Sequence, residues 1–378
     1  MIVVIADDLT GAVELAGIGL SHGLKVEVSL ELIPSAQADL LVIATDTRSK
    51  AEVLAVADIQ YLSRALPDLK PSLIFKKVDS VLRGHVMAEL RAQMTALGLE
   101  KALLVPANPS LGRTIEEGQY LINGKPINET GFANDPEFPV KTAAIAGLLR
   151  SSAMDLYIRK SNKGFEDVGV TVGETASLAD IDSWASKVDA NTLAAGGAGF
   201  FKALLKGIGQ DQLKDDHAVG ARKLFVSGTA FKESAVRIQG LAEKGIVSYM
   251  PDSLLTKNID DNAVENWASE IENKLDIYQT AIIAIHPECK LEQGIAAPEL
   301  RERTALVIKT LFKRTEINEL LIEGGSTAFS VLAQLGIKAL YPVKEYATGV
   351  VRSCTKENNL YITLKPGSYK WPEEAWVF

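Results

Sequence analysis

Met1-Ile-Val-Val-Ile-Ala-Asp-Asp-Leu-Thr-Gly-Ala12 is the stretch that decides the fold class. Ile2–Ile5 is an unbroken apolar, largely β-branched run, which is how a strand buried on both faces of a parallel sheet reads. Two acids, a threonine and a glycine end the run, and Ala12–Ser21 takes up a helical period. A strand that passes at once into a helix is the opening half of a βαβ unit. The pattern recurs. Leu40–Ile43, Leu73–Phe75 and Ala102–Val105 read as further buried strands, with helices expected at Ala51–Ala65 and Val86–Leu97.

A second alternating series begins after Gly207, with strands expected at Leu224–Val226, Ile246–Tyr249, Ala281–Ile285 and Leu320–Ile322. The chain is therefore expected to be α/β, with two domains, each built on a largely parallel sheet flanked by helices. A length of 378 residues agrees, because it exceeds what one hydrophobic core usually serves. The polar, glycine-bearing segment 207–220 is the expected linker between domains 1–206 and 221–378, and the expected hinge of a closing motion. Asn108–Pro139, rich in Pro, Gly and Asn, predicts a loop or hairpin excursion.

The net charge of −8 argues against a nucleic-acid surface, which needs a basic face, and favours a small ligand met by local cations. No apolar run approaches the roughly 20 residues that span a bilayer, so no membrane partner is expected. Met1–Asp8 lacks the basic start and long apolar run of a secretory signal. Cys289 and Cys354 are the only cysteines, too few for a disulfide framework, so a cytoplasmic location is expected. A homo-oligomer stays open.

Chemistry concentrates where strands end. Asp7, Asp8 and Thr10 follow the first strand, at the carboxyl edge where open parallel sheets bind ligands. Adjacent residues of an extended backbone face opposite ways, so one aspartate is expected to face the cleft. Helix capping by one of the aspartates or by Thr10 is the plainer alternative. Lys76-Lys-Val-Asp-Ser-Val-Leu-Arg83 follows another strand. Its Arg83 offers a planar fork suited to a carboxylate. Asp79 could accept from hydroxyls, Lys77 and Ser80 stand beside it, and one of Lys76 and Lys77 is expected at the surface. Asn108 and Arg113 lie on a rigid proline loop after a third strand.

In the second half, Ser227-Gly-Thr229, Gly324-Gly-Ser-Thr327 and the loop at Gly367 have a form suited to phosphate. Glycine admits close backbone approach, and a helix N-terminus offers free N–H groups. Neither a Walker A loop nor a Gly-x-Gly-x-x-Gly fingerprint is present. Gly196-Gly-Ala-Gly199 reads equally as ligand lining or as a close-packed turn.

At these motifs the chain resembles the four-carbon acid sugar kinase family. The resemblance rests on Ala6-Asp-Asp-Leu-Thr-Gly-Ala12, Lys77-Val-Asp-Ser-Val-Leu-Arg-Gly84, Pro106-Ala-Asn-Pro-Ser-Leu-Gly-Arg-Thr114, Ala195-Gly-Gly-Ala-Gly199, Ser227-Gly-Thr229 and Gly324-Gly-Ser-Thr-Ala328. It implies an acceptor domain, then a nucleotide domain using ATP with Mg²⁺, and phosphorylation of a terminal hydroxyl of a threonate, erythronate or 3-oxo-tetronate type acid. Asp8, expected to accept the proton of the acceptor hydroxyl, and Asp79 are then the expected catalytic carboxylates, with Arg83 expected to hold the acceptor carboxylate. Asp7, Thr10, Lys77, Ser80, Arg83, Asn108 and Arg113 are expected on the acceptor. Ser227, Gly228, Thr229, Gly324, Gly325, Ser326, Thr327 and Gly367 are expected on the nucleotide. The family usually carries an acid where this chain has Ser326, so Glu323 is the expected substitute as a metal-side carboxylate, with a plain strand end at the surface as its alternative. A kinase for another polyhydroxy acid and a non-catalytic nucleotide or phosphate sensor are the competing readings.

Overall fold

The computed structural model describes the chain apart from residues 32–36, 135–137, 151–154, 210–217, 229–231, 258–261, 290–291, 293, 357–359 and 368. The chain divides into two compact units, Met1–Gln212 and Leu213–Phe378. The middle of the expected linker, 210–217, lies outside the described residues.

In the first unit, β1 (Ile2–Ala6) passes into α1 (Leu9–Ser21), followed by β2 (Val26–Ser29) and β3 (Leu40–Ala44). Next come α2 (Glu52–Ala65), β4 (Leu73–Lys77), α3 (Val86–Leu97) and β5 (Lys101–Val105). The Pro/Gly-rich excursion then forms β6 (Arg113–Glu116), β7 (Gln119–Ile122) and β8 (Lys125–Pro126), a small antiparallel sheet. The unit closes with α4 (Ile145–Leu148), β9 (Leu156–Arg159), β10 (Gly169–Gly173), α5 (Leu178–Ala185), β11 (Thr192–Gly196) and α6 (Ala198–Leu204).

The main strands of this unit lie in the order β2-β3-β1-β4-β11-β5-β10-β9, and the pairings between them are parallel. Every residue of β1 and β3 is buried, as their apolar runs predict. From β1 the chain moves through α1 toward β2 on one side. From β4 it moves through α3 toward β5 on the other. The loops leaving β1 and β4 therefore diverge and open a crevice at their carboxyl ends, where such sheets bind ligands. Ala6 pairs with both Ala44 and Lys77, so the segments leaving β3, β1 and β4 start level with one another. Gly19 lets α1 lie close on the sheet, because a Cβ there would stand 2.3 Å from the Leu40 Cδ2.

The expectation that one of Lys76 and Lys77 sits at the surface is overturned. β4 is an interior strand, so both alternating faces point inward, and both lysines are buried. Lys76 Nζ meets Glu89 Oε2 of α3 at 2.5 Å, with neither side chain more than 2% exposed.

The second unit runs β12 (Lys223–Ser227), α7 (Lys232–Gln239), β13 (Val247–Tyr249), α8 (Ala263–Tyr278), β14 (Thr280–Ala284), α9 (Ala297–Arg314), β15 (Glu319–Glu323) and α10 (Gly325–Gln334). It ends in β16 (Ala339–Ala347), β17 (Val350–Cys354) and β18 (Tyr361–Lys365). The order is β13-β14-β12-β15-β18-β17-β16, parallel as far as β18 and antiparallel beyond it. This antiparallel end escaped the sequence reading, since Pro342 and the register shifts of β16 blur its period. Among the described residues no helix is long and apolar enough to cross a membrane.

Removing one partner of a buried ion pair strands the other charge, so Glu89→Ala is expected to lower the unfolding free energy by about 3–5 kcal/mol. The double substitution Lys76→Met with Glu89→Leu should cost far less. Urea unfolding of the three proteins measures both.

Candidate functional site

The crevice of the first unit is built from the three segments that leave β1, β3 and β4. Asp8 continues the extended backbone of β1 and caps α1, its Oδ1 accepting from the Gly11 N–H at 2.9 Å. Its Oδ2 accepts from the Thr10 hydroxyl at 2.6 Å and from Arg48 at 2.7 Å. Arg48 arrives on the turn after β3 and reaches Asp79 as well, at 3.3 Å. It thus ties the β1 segment to the β4 segment.

Asp79 is held harder still. Its Oδ2 accepts from the Val81 N–H at 3.2 Å and from the Arg83 N–H at 3.1 Å. The Arg83 guanidinium closes a bidentate pair, at 2.9 Å on Oδ2 and 2.8 Å on Oδ1. The loop turns through Leu82 at φ 64, a left-handed conformation costly for a side chain of this kind. Arg113, from the start of β6, donates to the Ser80 hydroxyl, and the Tyr120 hydroxyl of β7 donates to the Ser80 carbonyl at 2.5 Å. The Arg83 and Arg113 guanidinium carbons stand 5.7 Å and 5.9 Å from the Phe132 ring centroid. Two like charges around one ring are tolerated for Arg83 because Asp79 neutralises it. Among the described residues Arg113 has no carboxylate partner of its own.

Lys77 Nζ donates to the Val78 carbonyl at 3.0 Å and lies 3.9 Å from Glu14. A Cβ on Gly11 would sit 2.9 Å from that ammonium, so glycine is what lets Lys77 lie against the start of α1. A cation there meets the positive end of the helix dipole, which suits an anion binding beside it.

The three aspartates differ electrostatically. Burial disfavours the charged form of Asp8, but Arg48, Lys77, the Thr10 hydroxyl and the Gly11 N–H outweigh it and hold the carboxyl below its ordinary value. Asp79 is likewise buried, yet Arg83 and Arg48 hold it far below the carboxylate range. Asp7 goes the other way: burial, with Asp8 adding to it, pushes its carboxyl up to about 7 against Arg48, Lys77 and Lys76. Asp7 is 3% exposed. Its Oδ2 accepts from the Asp79 N–H at 3.2 Å, and its Oδ1 is buried with no hydrogen-bond partner.

In the second unit, Ser227, Glu323 and Lys365 align across β12, β15 and β18, so the Ser227, Gly324 and Gly367 loops leave three adjacent strands at one level. Gly228 N–H donates to the Glu323 carbonyl at 2.9 Å and Gly324 N–H to the Lys365 carbonyl at 3.0 Å. A Cβ on Gly228 would collide with the Thr327 hydroxyl at 2.0 Å, and Gly324 turns at φ 103. No side chain caps α10, whose first turn holds Gly325, Ser326 and Thr327. Thr229 lies outside the described residues.

Glu323 does not fill the metal-side place expected of it, nor is it a surface strand end. It is fully buried, and Lys365 Nζ meets its Oε1 at 2.9 Å. Ser234 donates to the same oxygen, and Trp371 Nε1 donates to Oε2 at 3.1 Å. The Lys365 ammonium in turn donates to the carbonyls of Pro366, Gly367 and Tyr369 at 2.8, 3.4 and 2.5 Å, which shapes the C-terminal loop. Among the described residues no group of His, Cys, Asp or Glu has the form of a metal site.

The structure therefore brings Asp7, Asp8, Thr10, Lys77, Asp79, Ser80, Arg83 and Arg113 to one crevice. Asn108 exchanges backbone hydrogen bonds with Arg113 beside it. Two expected roles do not match the geometry. The Arg83 fork is engaged by Asp79, and both Asp8 oxygens are committed to the cap, Thr10 and Arg48, which leaves Asp8 ill placed to take up a proton. Gly196 and Gly197 form a close-packed turn, since a Cβ on either would press on the carbonyls of Val105 or Pro106 at 2.1 and 2.8 Å. Arg48 is the residue the sequence reading missed. Its signal was available in Thr45-Asp-Thr-Arg48, polar residues following a strand that was itself expected.

Two different family models match the chain in succession. Residues 2–204 match the family model described as sugar-binding N-terminal domain, and residues 224–369 that described as nucleotide-binding C-terminal domain. A D-threonate kinase from Salmonella typhimurium is 27% identical over 372 residues, with 88% of this chain and 86% of the relative covered. A 3-oxo-tetronate kinase from Brucella melitensis is 26% identical over 411 aligned positions, covering 97% and 92%. A crystal structure from Salmonella typhimurium superposes with a TM-score of 0.78 at 18% identity, covering 98% of this chain and 96% of that one. One from Haemophilus influenzae gives 0.73 at 19%, covering 99% and 98%. Both show the shared fold.

Arg48→Ala removes the one guanidinium shared by two buried carboxylates and is expected to cost about 3–5 kcal/mol at neutral pH. Asp8 and Asp79 have depressed values in the folded protein, so the stability they contribute exists above the ordinary carboxylate value and is lost as pH falls through the folded ones. The gap between Arg48→Ala and the parent should therefore narrow in acid, as read by urea unfolding at several pH values.

Proposed function

The chain belongs to the four-carbon acid sugar kinase family, and from that premise we propose that it moves the γ-phosphoryl group of ATP to the terminal hydroxyl of a threonate, erythronate or 3-oxo-tetronate type acid. The observation that carries this reading is the buried Asp8–Arg48–Asp79–Arg83 array at the crevice of the first unit, beside Arg113, which has no carboxylate partner among the described residues. Arg113 takes the acceptor carboxylate in this reading, because its fork meets no carboxylate among the described residues while that of Arg83 is filled by Asp79. Arg83 and Arg48 act as positioning residues that hold Asp79 and Asp8 against the acceptor hydroxyls. Lys77 adds local positive charge for the transferred group.

In the second unit, the Ser227–Gly228 and Gly324–Thr327 loops and Gly367 cradle the nucleotide phosphates, with backbone N–H groups at the start of α10 as donors. Mg²⁺ arriving with the nucleotide would supply neutralisation of phosphate charge. Glu323, with both oxygens committed to Lys365, Ser234 and Trp371, does not fit as its ligand. Phosphoryl transfer asks mainly for such positioning and charge neutralisation. Among the described residues Cys289 and Cys354 form no disulfide, which suits a reducing cytoplasm.

A panel of four-carbon acids and longer polyhydroxy acids, offered with ATP and Mg²⁺, should release ADP fastest with a four-carbon acid. ADP release confined to longer acids would point to the altered-specificity reading, and none at all to a sensor. Arg113→Ala should raise KM for the acid at least tenfold with little change in KM for ATP, and Arg113→Lys should restore only part, since an ammonium lacks the fork. Steady-state kinetics with each substrate varied in turn reads both.

A further inference from the structure

Resting on the kinase reading above, we propose that Asp7, rather than Asp8 or Asp79, accepts the proton of the acceptor hydroxyl, through its Oδ1. Asp7 stands at the centre of the crevice. Its N–H donates to the Lys77 carbonyl of β4 at 3.4 Å, and its carbonyl accepts from the Arg48 N–H on the β3 side at 3.2 Å. The backbone alternates here, so Asp8 turns toward α1 and Arg48 while Asp7 turns toward the Asp79 loop. The lone pairs of Asp8 and Asp79 are taken up by N–H, O–H and guanidinium donors. Asp7 Oδ1 alone of these carboxylate oxygens is buried and unpartnered, and buried polar atoms in that state are rare enough to call for a ligand.

In the step itself, the acceptor oxygen forms a bond to the γ-phosphorus. The bond from that phosphorus to the β,γ-bridging oxygen breaks, its electron pair leaves with ADP, and the hydroxyl proton passes to Asp7 Oδ1. The groups that set the basicity of Asp7 are Arg48 on the β3 side, Asp8 beside it in the chain, and Lys77, Lys76 and Asp79 from β4 and its loop. Burial outweighs the cations among them and leaves the carboxyl at about 7, where a general base works best near neutral pH.

Asp7→Asn keeps the shape and can still accept from the Asp79 N–H. The expected result is a 10²–10⁴-fold fall in kcat, the usual contribution of a positioned base, with KM for ATP little changed. In the parent, kcat/KM should rise with pH to a plateau through an ionisation near 7, and in Asp7→Asn that limb should vanish. A group raised in the folded state contributes stability that is present at low pH and lost as pH rises through about 7. Asp7→Asn is therefore expected to raise the thermal midpoint above pH 7 while lowering activity, a pairing that a merely structural role would not give. A parent enzyme that turns over a four-carbon acid while Asp7→Asn keeps kcat within threefold overturns the assignment and leaves the kinase reading standing. A parent that makes no ADP with any acid overturns both. Should Asp7→Asn fail to fold, the parent profile decides, and absence of the limb near 7 rejects Asp7.

Discussion

Arg48 must serve two buried carboxylates that arrive on different strands, and much of the crevice follows from that. Asp8 comes at the end of β1 and Asp79 after β4, and a single guanidinium at 2.7 Å and 3.3 Å spans them. Arg48 is the chief cation that keeps Asp8 ionised at such burial and adds to Arg83 in keeping Asp79 so, since removing a carboxylate from water is costly unless it is paired and hydrogen-bonded. The pairing in turn lets Asp8 cap α1 and lets Asp79 collect the N–H groups of its own loop. Asp7, between them in space, is left with one oxygen unpaired. The same network thus produces two acids kept charged and one whose charge is resisted, which is how neighbouring groups of one chemical type come to differ in chemical behaviour.

Much of the core was legible because its strands are continuous apolar runs. Ile2–Ala6, Leu40–Ala44 and Thr280–Ala284 carry no polar side chain that faces solvent and read as strands at once. The crevice was legible for the same reason, since polar residues at strand ends stand out against such runs. What the residues did not disclose was pairing. Arg83 has a free fork on paper, and only the turn through Leu82 folds it back onto Asp79. Lys76 and Lys77 look like a solvated pair until β4 is seen to have neighbours on both sides. The antiparallel end of the second unit was hidden by Pro342 in β16, an ordinary strand-breaking signal.

The second unit illustrates a charge used as an internal fastener. Glu323 sits at the end of β15 and Lys365 at the end of the adjoining β18, and both are removed from water. Burial pulls the Lys365 ammonium below its ordinary value while Glu323 opposes that pull. The three carbonyls that the ammonium gathers belong to the loop carrying Gly367. A carboxylate that reads from sequence like an ion ligand is here the anchor of a loop's shape, and the difference lies wholly in what surrounds it.

Arg113 and Tyr120 belong to the small antiparallel sheet rather than to the parallel core. That sheet is inserted in sequence between β5 and β9, and its Ile115 and Tyr120 are buried in one core with Leu104 of β5 and Val170 of β10. Under the proposed reading, the array that would meet the reacting hydroxyl and the arm that would grip the far end of the substrate stand on different elements, so preference for one acid over another would be set at the inserted sheet with the transfer array left as it is.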